Sequence, residues 1–527
     1  MKKLLSAALA VCLIFSLSAC KKDAGGKVIT YETEVLPNTF DPLICSNQTE
    51  LLVVYNIFEP LVVLNEDGTL SPGAAESYNI SSDGLKISFA LREDACWSDG
   101  QKVEGQDFVF GLRRAVDPVT EFSGASALFN IINAPQILNG EASADTLGVS
   151  CRDNTLEISL SSPDDDIIYC FAGPAGMPCR EDAFDASGGK YCMTKDTTLS
   201  NGPFALSKWI KSQGEEAVKF IKNDYYVGLR QAVSQGVYCP IEKSDGRLDR
   251  LKNENIDCGT VSSDLLSSAE DNKNQMLGSY SATAVMAFSF AENSPFADDI
   301  IRRGLYATVD RNGISAALPE YYEVADDLLP PSSICSEGIW RENNPPKIQL
   351  TDRAELDELI LNAKDRLSEN KVTSVTVAYQ SETDKAVVNY TAQSWQKNFG
   401  LKVELVCSSR STIIAGIKNG TYAAGIFTLP FEGKMASSML LNLSSKGLDL
   451  GDSTYNDALS LTEDSCEKLI AAENILFEKS LLCPMYYEKK YYIFSENVTD
   501  IKLSAMSGTT DALAGIAAKL SGGDMDG

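Results

Sequence analysis

The chain has 527 residues, of which 44% are hydrophobic and 23% charged, a composition that suits a globular protein of two or three domains rather than a single small core. Its formal charge of −27 argues against nucleic acid and other polyanions as partners. Histidine is absent, which removes Ser-His-Asp and Cys-His catalysis and every histidine-based metal site, while leaving carboxylate or Ser-Lys chemistry open.

At the amino terminus Lys2 and Lys3 precede an apolar run from Leu4 to Leu17 that is too short to span a bilayer comfortably, the pattern of a secretory signal peptide over residues 1–19. The run closes as Leu17-Ser18-Ala19-Cys20, which resembles a bacterial lipobox, and that resemblance implies lipid on Cys20 as the membrane anchor. Lys21 to Gly26 then reads as a tether. No later stretch holds 18 uninterrupted apolar residues, so no transmembrane helix is expected. Loss of Lys2 and Lys3 takes the formal charge to −29, which suits either a basic or zwitterionic ligand or solubility alone. Of fourteen cysteines, Cys12 leaves with the signal and Cys20 takes the lipid. Export permits the others to pair, but spacings such as Cys170, Cys179 and Cys192 fit no zinc pattern, and thiols or bridges both stay open.

In chain order, Val28 to Tyr31 reads as a strand that Pro37-Asn38-Thr39-Phe40-Asp41-Pro42 breaks. A helix over 49–58 follows, then hairpins between residues 61 and 91 punctuated by Asp67-Gly68 and Asp83-Gly84. Trp97, before Ser98-Asp99-Gly100, reads as a core plug over a turn rather than a stacking platform. Residues 107–116 form a helix with Phe108, Leu112 and Ala115 on one face. Between 117 and 198 the periods are weak, apart from an alternating strand over 155–160. Asp164 and Asp166 there could form a hydrolytic carboxylate pair, but a Pro-Asp-Asp-Asp loop reads better as solvated charge. Asn201-Gly202-Pro203-Phe204 opens a hairpin, a helix covers 247–253, and the compact apolar run 284–290 reads as a buried strand.

The region after 352 alternates most cleanly. A helix over 352–367 leads to a strand at 375–379, and Val388, Ala392, Trp395 and Phe399 then mark one apolar helical face. Gly400 stops that helix. Alternation at Leu401, Val403, Leu405 and Cys407, a short helix at 412–418 and the run 423–429 complete β-α-β-α-β. That order predicts a parallel, doubly wound sheet with ligand at the carboxyl ends of its strands, after Cys407 and after Leu429. The tyrosines of 486–492 read as a sheet face, and residues 511–520 as a terminal helix.

Several of these pieces stand in a telling order: Phe40-Asp41-Pro42, Glu59-Pro60-Leu61, Trp97-Ser98-Asp99-Gly100 before Asp107-Phe108-Val109-Phe110, Asn201-Gly202-Pro203-Phe204 with Trp209, and Pro484-Met485-Tyr486-Tyr487. The set resembles the family-5 solute-binding proteins of bacterial ABC importers, from Phe40 to about Val498. The resemblance implies an α/β, periplasmic-binding-protein type II-like fold, with two lobes of mixed and parallel sheet joined by a hinge and a smaller inserted α+β domain. Lobe I would comprise 27–60, 195–287 and 486–527, the inserted domain 61–194 and lobe III 288–485, with the hinge near 286–293. It further implies capture of oligopeptides, delivery to ABC permease subunits, an extracytoplasmic location and a monomeric, non-enzymatic protein without cofactor or metal.

By the same resemblance Glu34 and Asn38 lie on the cleft wall, unless they are merely a solvated loop. Arg410 falls where relatives often place an aromatic and would favour an anionic group such as a carboxylate. Pro430 and Phe431 replace the neighbours of an acidic residue whose place Glu432 keeps, facing a peptide amine or standing exposed in the loop. The same fold binding an oligosaccharide or a signalling peptide, and a carboxylate-based hydrolase, are the competing readings.

Overall fold

The computed structural model describes residues 28–430 apart from 46, 66–67, 165–166, 213–214, 233, 244, 262–265, 267–274, 320–321, 336–337 and 344–352, and beyond them 436, 440, 466–478, 480, 482–496, 498–499 and 517–518. Two long strands, Gln275–Phe288 and Leu482–Phe494, pair antiparallel along their length and occupy the middle of an eleven-stranded mixed sheet. On one flank lie, in order, Ala424–Pro430, Ser374–Tyr379 and Lys402–Cys407. On the other lie Cys258–Val261, Val28–Glu32, Gly236–Pro240, Glu215–Lys222 and Phe204–Ser212. The long strands exchange neighbours part-way along. Gln275 to Tyr280 face Lys489 to Phe494, the register slips between Tyr280 and Ala282, and from Ala282 onward the strand is also paired with Ala424–Pro430. A slip of this kind inserts an unpaired residue and bends the ladder.

The β-α-β-α-β order is present as read. Ser374–Tyr379 is parallel to both Lys402–Cys407 and Ala424–Pro430, with helices Glu382–Phe399 and Arg410–Lys418 between them. The first helix begins in a capping box of Ser381 and Asp384 and stops at Gly400, whose φ of +70° suits a residue without Cβ. Trp395 is fully buried, with its indole N–H donating to the Leu305 carbonyl at 3.0 Å. The two helices cover opposite faces: Val387, Val388 and Trp395 pack with Ala284, Met286 and Phe288, whereas Ile413 and Ile417 pack with Val285 and Ala287. Strand alternation thus serves two cores at once.

The early motifs are a polar framework. Arg114 pairs with the buried Asp41 at 2.6 Å. Trp97 is fully buried and donates from its indole nitrogen to Asp107 at 2.9 Å, as expected of a plug. The Asn201 side chain accepts from the Glu59 amide and donates to the Glu59 carbonyl, both at 3.0 Å. Gly202 follows because a Cβ there would stand 2.7 Å from the Ile57 backbone. Arg230 closes the same corner, bonding the Glu59 carboxylate and the Tyr55 and Phe58 carbonyls at the end of helix Gln48–Ile57. The four-stranded antiparallel sheet of Ala75–Ile80, Lys86–Leu91, Thr155–Ser159 and Val149–Arg152 builds a separate small layer.

Four expectations change. The buried strand begins at Gln275, well before residue 284, because its first half pairs with the distant Lys489 to Phe494 and needs no continuous apolar run. Of the residues assigned to the hinge, Met286 and Ala287 are paired on both sides within the sheet and Phe288 on one. Asp164 is buried rather than solvated, accepting from the Ile167 amide at 2.9 Å and the Asn130 side chain at 2.8 Å; Asp166 lies outside the described residues. Where a terminal helix was expected, Ala517–Ala518 pair antiparallel with Val498–Thr499, tertiary pairing overriding helix propensity. Both states occur among the cysteines, Cys335 being disulfide-bonded and Cys179, Cys192, Cys239 and Cys483 buried free thiols.

The Glu59 corner generates a stability contrast. Arg230→Met leaves the Glu59 carboxylate buried without its cation, and urea unfolding should show a loss of about 3–5 kcal/mol. Lys86→Met, which breaks the exposed 3.4 Å pair with Glu157, should cost less than about 1 kcal/mol.

Candidate functional site

In a doubly wound sheet, strands on either side of the first one leave a crevice at their carboxyl ends. Here Ser374–Tyr379 has Lys402–Cys407 on one side and Ala424–Pro430 on the other, with the connecting helices on opposite faces. The crevice therefore opens above Tyr379. Register fixes what stands beside it: Pro430 lies opposite Ala282, and Ala282 lies opposite Glu488. The carboxyl ends are thus level with the point where the long strands exchange neighbours and head for the first lobe.

Two charged side chains at this crevice lack a charged mate among the described residues. Arg410 opens helix Arg410–Lys418; its Nε is buried without a hydrogen-bond partner, and the guanidinium sits 6.0 Å from the Phe427 ring centre. Burial alone pulls its proton affinity below the usual arginine range. Glu488 is half-buried on the crossing strand. Burial first, and then the Asp384 charge, push its carboxyl up to about 7. Asp384 itself is satisfied, accepting from Tyr486 Oη at 2.8 Å and from the Ser381 amide at 2.9 Å.

On the first lobe the charges are compensated. Arg247, fully buried, bonds Glu32, Glu34 at 2.9 Å and Thr260, while Arg250 reaches Glu32 at 2.6 Å. Lys490, two residues beyond Glu488 on the same strand, approaches this group: burial pulls it down to about 8 against the opposing field of Glu34.

Of the residues singled out from sequence, Glu34 is 46% exposed but ion-paired. Asn38 is exposed, and its backbone amide donates to Glu50 at 2.6 Å. Pro430 is the exposed last residue of its strand. Cys20, Phe431 and Glu432 lie outside the described residues. Arg410 and Pro430 both border the crevice, while Glu34 belongs to the Arg247 group. Glu488 and Lys490 escaped notice because they interrupt a tyrosine-rich strand, and charges within such a run were the available signal. An open groove of about 570 Å³ between Asn293 to Asp298 and Asn370 to Ser374 lies at the amino-terminal end of Ser374–Tyr379, away from the crevice. No group of acidic or cysteine residues fit for a metal ion, and no helix long and apolar enough to cross a membrane, occurs among the described residues.

Over residues 69–447 the sequence matches the bacterial extracellular solute-binding proteins, family 5 Middle. The periplasmic murein peptide-binding protein MppA of Escherichia coli is 27% identical over 506 residues, covering 89% of this chain and 90% of the relative. The probable deoxycholate-binding periplasmic protein YgiS of Escherichia coli is 26% identical over 478 residues, covering 88% of each. The unliganded open form of MppA has the same fold, with a TM-score of 0.74 at 24% identity over 94% of this chain and 98% of that one.

The Glu488 carboxyl gives this crevice a pH signature. Its folded-state value near 7 lies above the ordinary glutamate value of about 4.3, so the folded chain holds the proton more tightly than the unfolded one. Stability is therefore lost as pH rises between those values. Glu488→Gln should stabilise the protein by about 1–2 kcal/mol at pH 8 and leave it unchanged near pH 4. Denaturant unfolding at both pH values checks this, and equal effects would contradict it.

Proposed function

This chain belongs to the bacterial extracellular solute-binding proteins of family 5, and we propose that it captures peptides between its two lobes and hands them to an ABC permease for import. The carrying observation is the alignment of the parallel strands' carboxyl ends with the slip between Tyr280 and Ala282. A ligand held in the crevice touches both lobes only when they close, so closure is driven by contacts made in the closed state. The bend sits at that slip, where one residue of the ladder is unpaired. The likeness to MppA, a murein peptide-binding protein, supports the ligand class, and the family's binding role supports a protein that retains its solute without transforming it.

Within the crevice Arg410 receives a ligand carboxylate, for which its unpartnered Nε is suited. Glu432 receives the peptide amine, flanked by Pro430 and Phe431. Glu34 and Asn38 border the ligand from the first lobe, Glu34 with its charge already balanced by Arg247. Lipid on Cys20 holds the monomer at the extracytoplasmic membrane surface.

A charge-assisted hydrogen bond in a partly dry cleft contributes about 1.5–3 kcal/mol, or roughly tenfold to a hundredfold in affinity. Calorimetry with a tripeptide and its N-acetylated form tests the assignment: Glu432→Gln should weaken the free peptide by that factor and spare the acetylated one. Equal loss removes Glu432 from the amine site. Arg410→Gln should likewise discriminate against the free carboxylate relative to the peptide amide. Binding of deoxycholate, the ligand in the name of YgiS, with no binding of any peptide would overturn the peptide reading.

A further inference from the structure

Among the described residues the charged side chains around the interlobe strands are almost all accounted for. Lys489, facing the other way from Glu488, is paired with Glu323, and Tyr280 donates to the same Glu323 at 2.6 Å. Arg311 is committed to the Ala325 and Pro484 carbonyls, and Arg341 to Asp326 and Asp327. Glu34, Arg247 and Arg250 form one group with Glu32. Glu488 and Lys490 are the exceptions. The Glu488 backbone carbonyl accepts from Ser281 at 3.3 Å, but no hydrogen bond or ion pair is made by its carboxylate. The charge that acts on it is another carboxylate, that of Asp384. Lys490 is drawn toward Glu34 instead.

We propose, building on the peptide-binding reading above, that Glu488 is a specificity-determining residue that accepts a cationic side chain of the bound peptide, making the site select basic residues over neutral ones of the same shape. The position argues for it. Strand register places Glu488 one residue pair from Pro430 across Ala282, at the mouth of the crevice and on the strand that joins the lobes. The Tyr486 ring before it holds Asp384 at the start of helix Glu382–Phe399, so Glu488 stands above that helix rather than inside the core. A half-buried carboxylate without a cation is destabilising in the empty protein. A lysine or arginine side chain entering the closing cleft supplies the missing charge, and a neutral isostere leaves it missing. Glu488 is distinct in sequence from Glu432, to which the peptide-binding reading assigns the terminal amine, so the two carboxylates would read different groups of one ligand.

The test uses six peptides: a tripeptide of alanines with lysine at the first, second or third position, and the same three with the lysine Nε acetylated. Isothermal calorimetry on the whole mature protein should show that lysine is preferred to acetyl-lysine by about tenfold or more at one position at least. In Glu488→Gln that preference should vanish while the acetylated peptides bind as before, and Glu488→Asp should retain part of it. Loss of binding to all six in Glu488→Gln alone would mark a folding role and overturn the proposal. So would a preference that survives the substitution, or wild-type protein that binds lysine and acetyl-lysine peptides equally; both leave the peptide reading standing. Wild-type protein that binds none of the six defeats the peptide reading itself.

Discussion

The antiparallel pairing of Gln275–Phe288 with Leu482–Phe494 is the constraint on which the rest depends. Both strands are shared by the two lobes, so neither lobe can complete its sheet without them. The first half of Gln275–Phe288 and the second half of Leu482–Phe494 lie toward the flank that contains Val28–Glu32, and the opposite halves lie toward the flank of the parallel strands. A register slip at Tyr280 and Ala282 separates the halves, and a second lies between Ala284 and Val285, inside the stretch that is also paired with Ala424–Pro430. The first of the two coincides with the exchange of neighbours, and a slip there bends the ladder. The same register brings the carboxyl ends of the parallel strands level with that exchange, so in the proposed reading hinge and ligand crevice follow from one pairing.

The distribution of charge follows that division. Away from the crevice, three buried carboxylates are matched by cations, Asp41 with Arg114, Glu59 with Arg230 and Glu32 with Arg247 and Arg250, while Asp107 and Asp164 are held by hydrogen bonds. Such pairs contribute little net stability but are costly to break, which makes them good at fixing one arrangement of chain. In the crevice, the Arg410 Nε and the Glu488 carboxylate are left without partners among the described residues. A binding protein has a physical reason for that asymmetry, since polar groups satisfied only by the ligand favour the closed, occupied state over the empty one.

Much of this was legible in the sequence because it rests on local pattern. Val388, Ala392, Trp395 and Phe399 set a helix face, Gly400 stopped it, and alternation either side placed the parallel strands. The ordered motifs around Asp41, Trp97 and Asn201 carried the family, and their contacts explain why: each is one half of a hydrogen-bonded or ionic clamp whose other half is another motif. What escaped was non-local. The amino half of Gln275–Phe288 has no long apolar run, and its strand state comes from a partner some two hundred residues away. Ala517–Ala518 likewise take their state from Val498–Thr499. Glu34 looked like a free cleft residue, but the buried Arg247 that holds it is distant in sequence. Glu488 was hidden by its tyrosine neighbours, since only register shows that it stands beside the strand ending at Pro430.

The central claim is that ligand is held at the carboxyl ends of the parallel strands, against the crossing strands. Hydrogen exchange followed by mass spectrometry, on the mature protein with and without a saturating tripeptide, tests it most directly. The account predicts new protection at residues 379–382, 407–411 and 486–490 together with 280–283. Protection at 293–298 and 370–374 instead, around the groove at the opposite end of the strands, would contradict it.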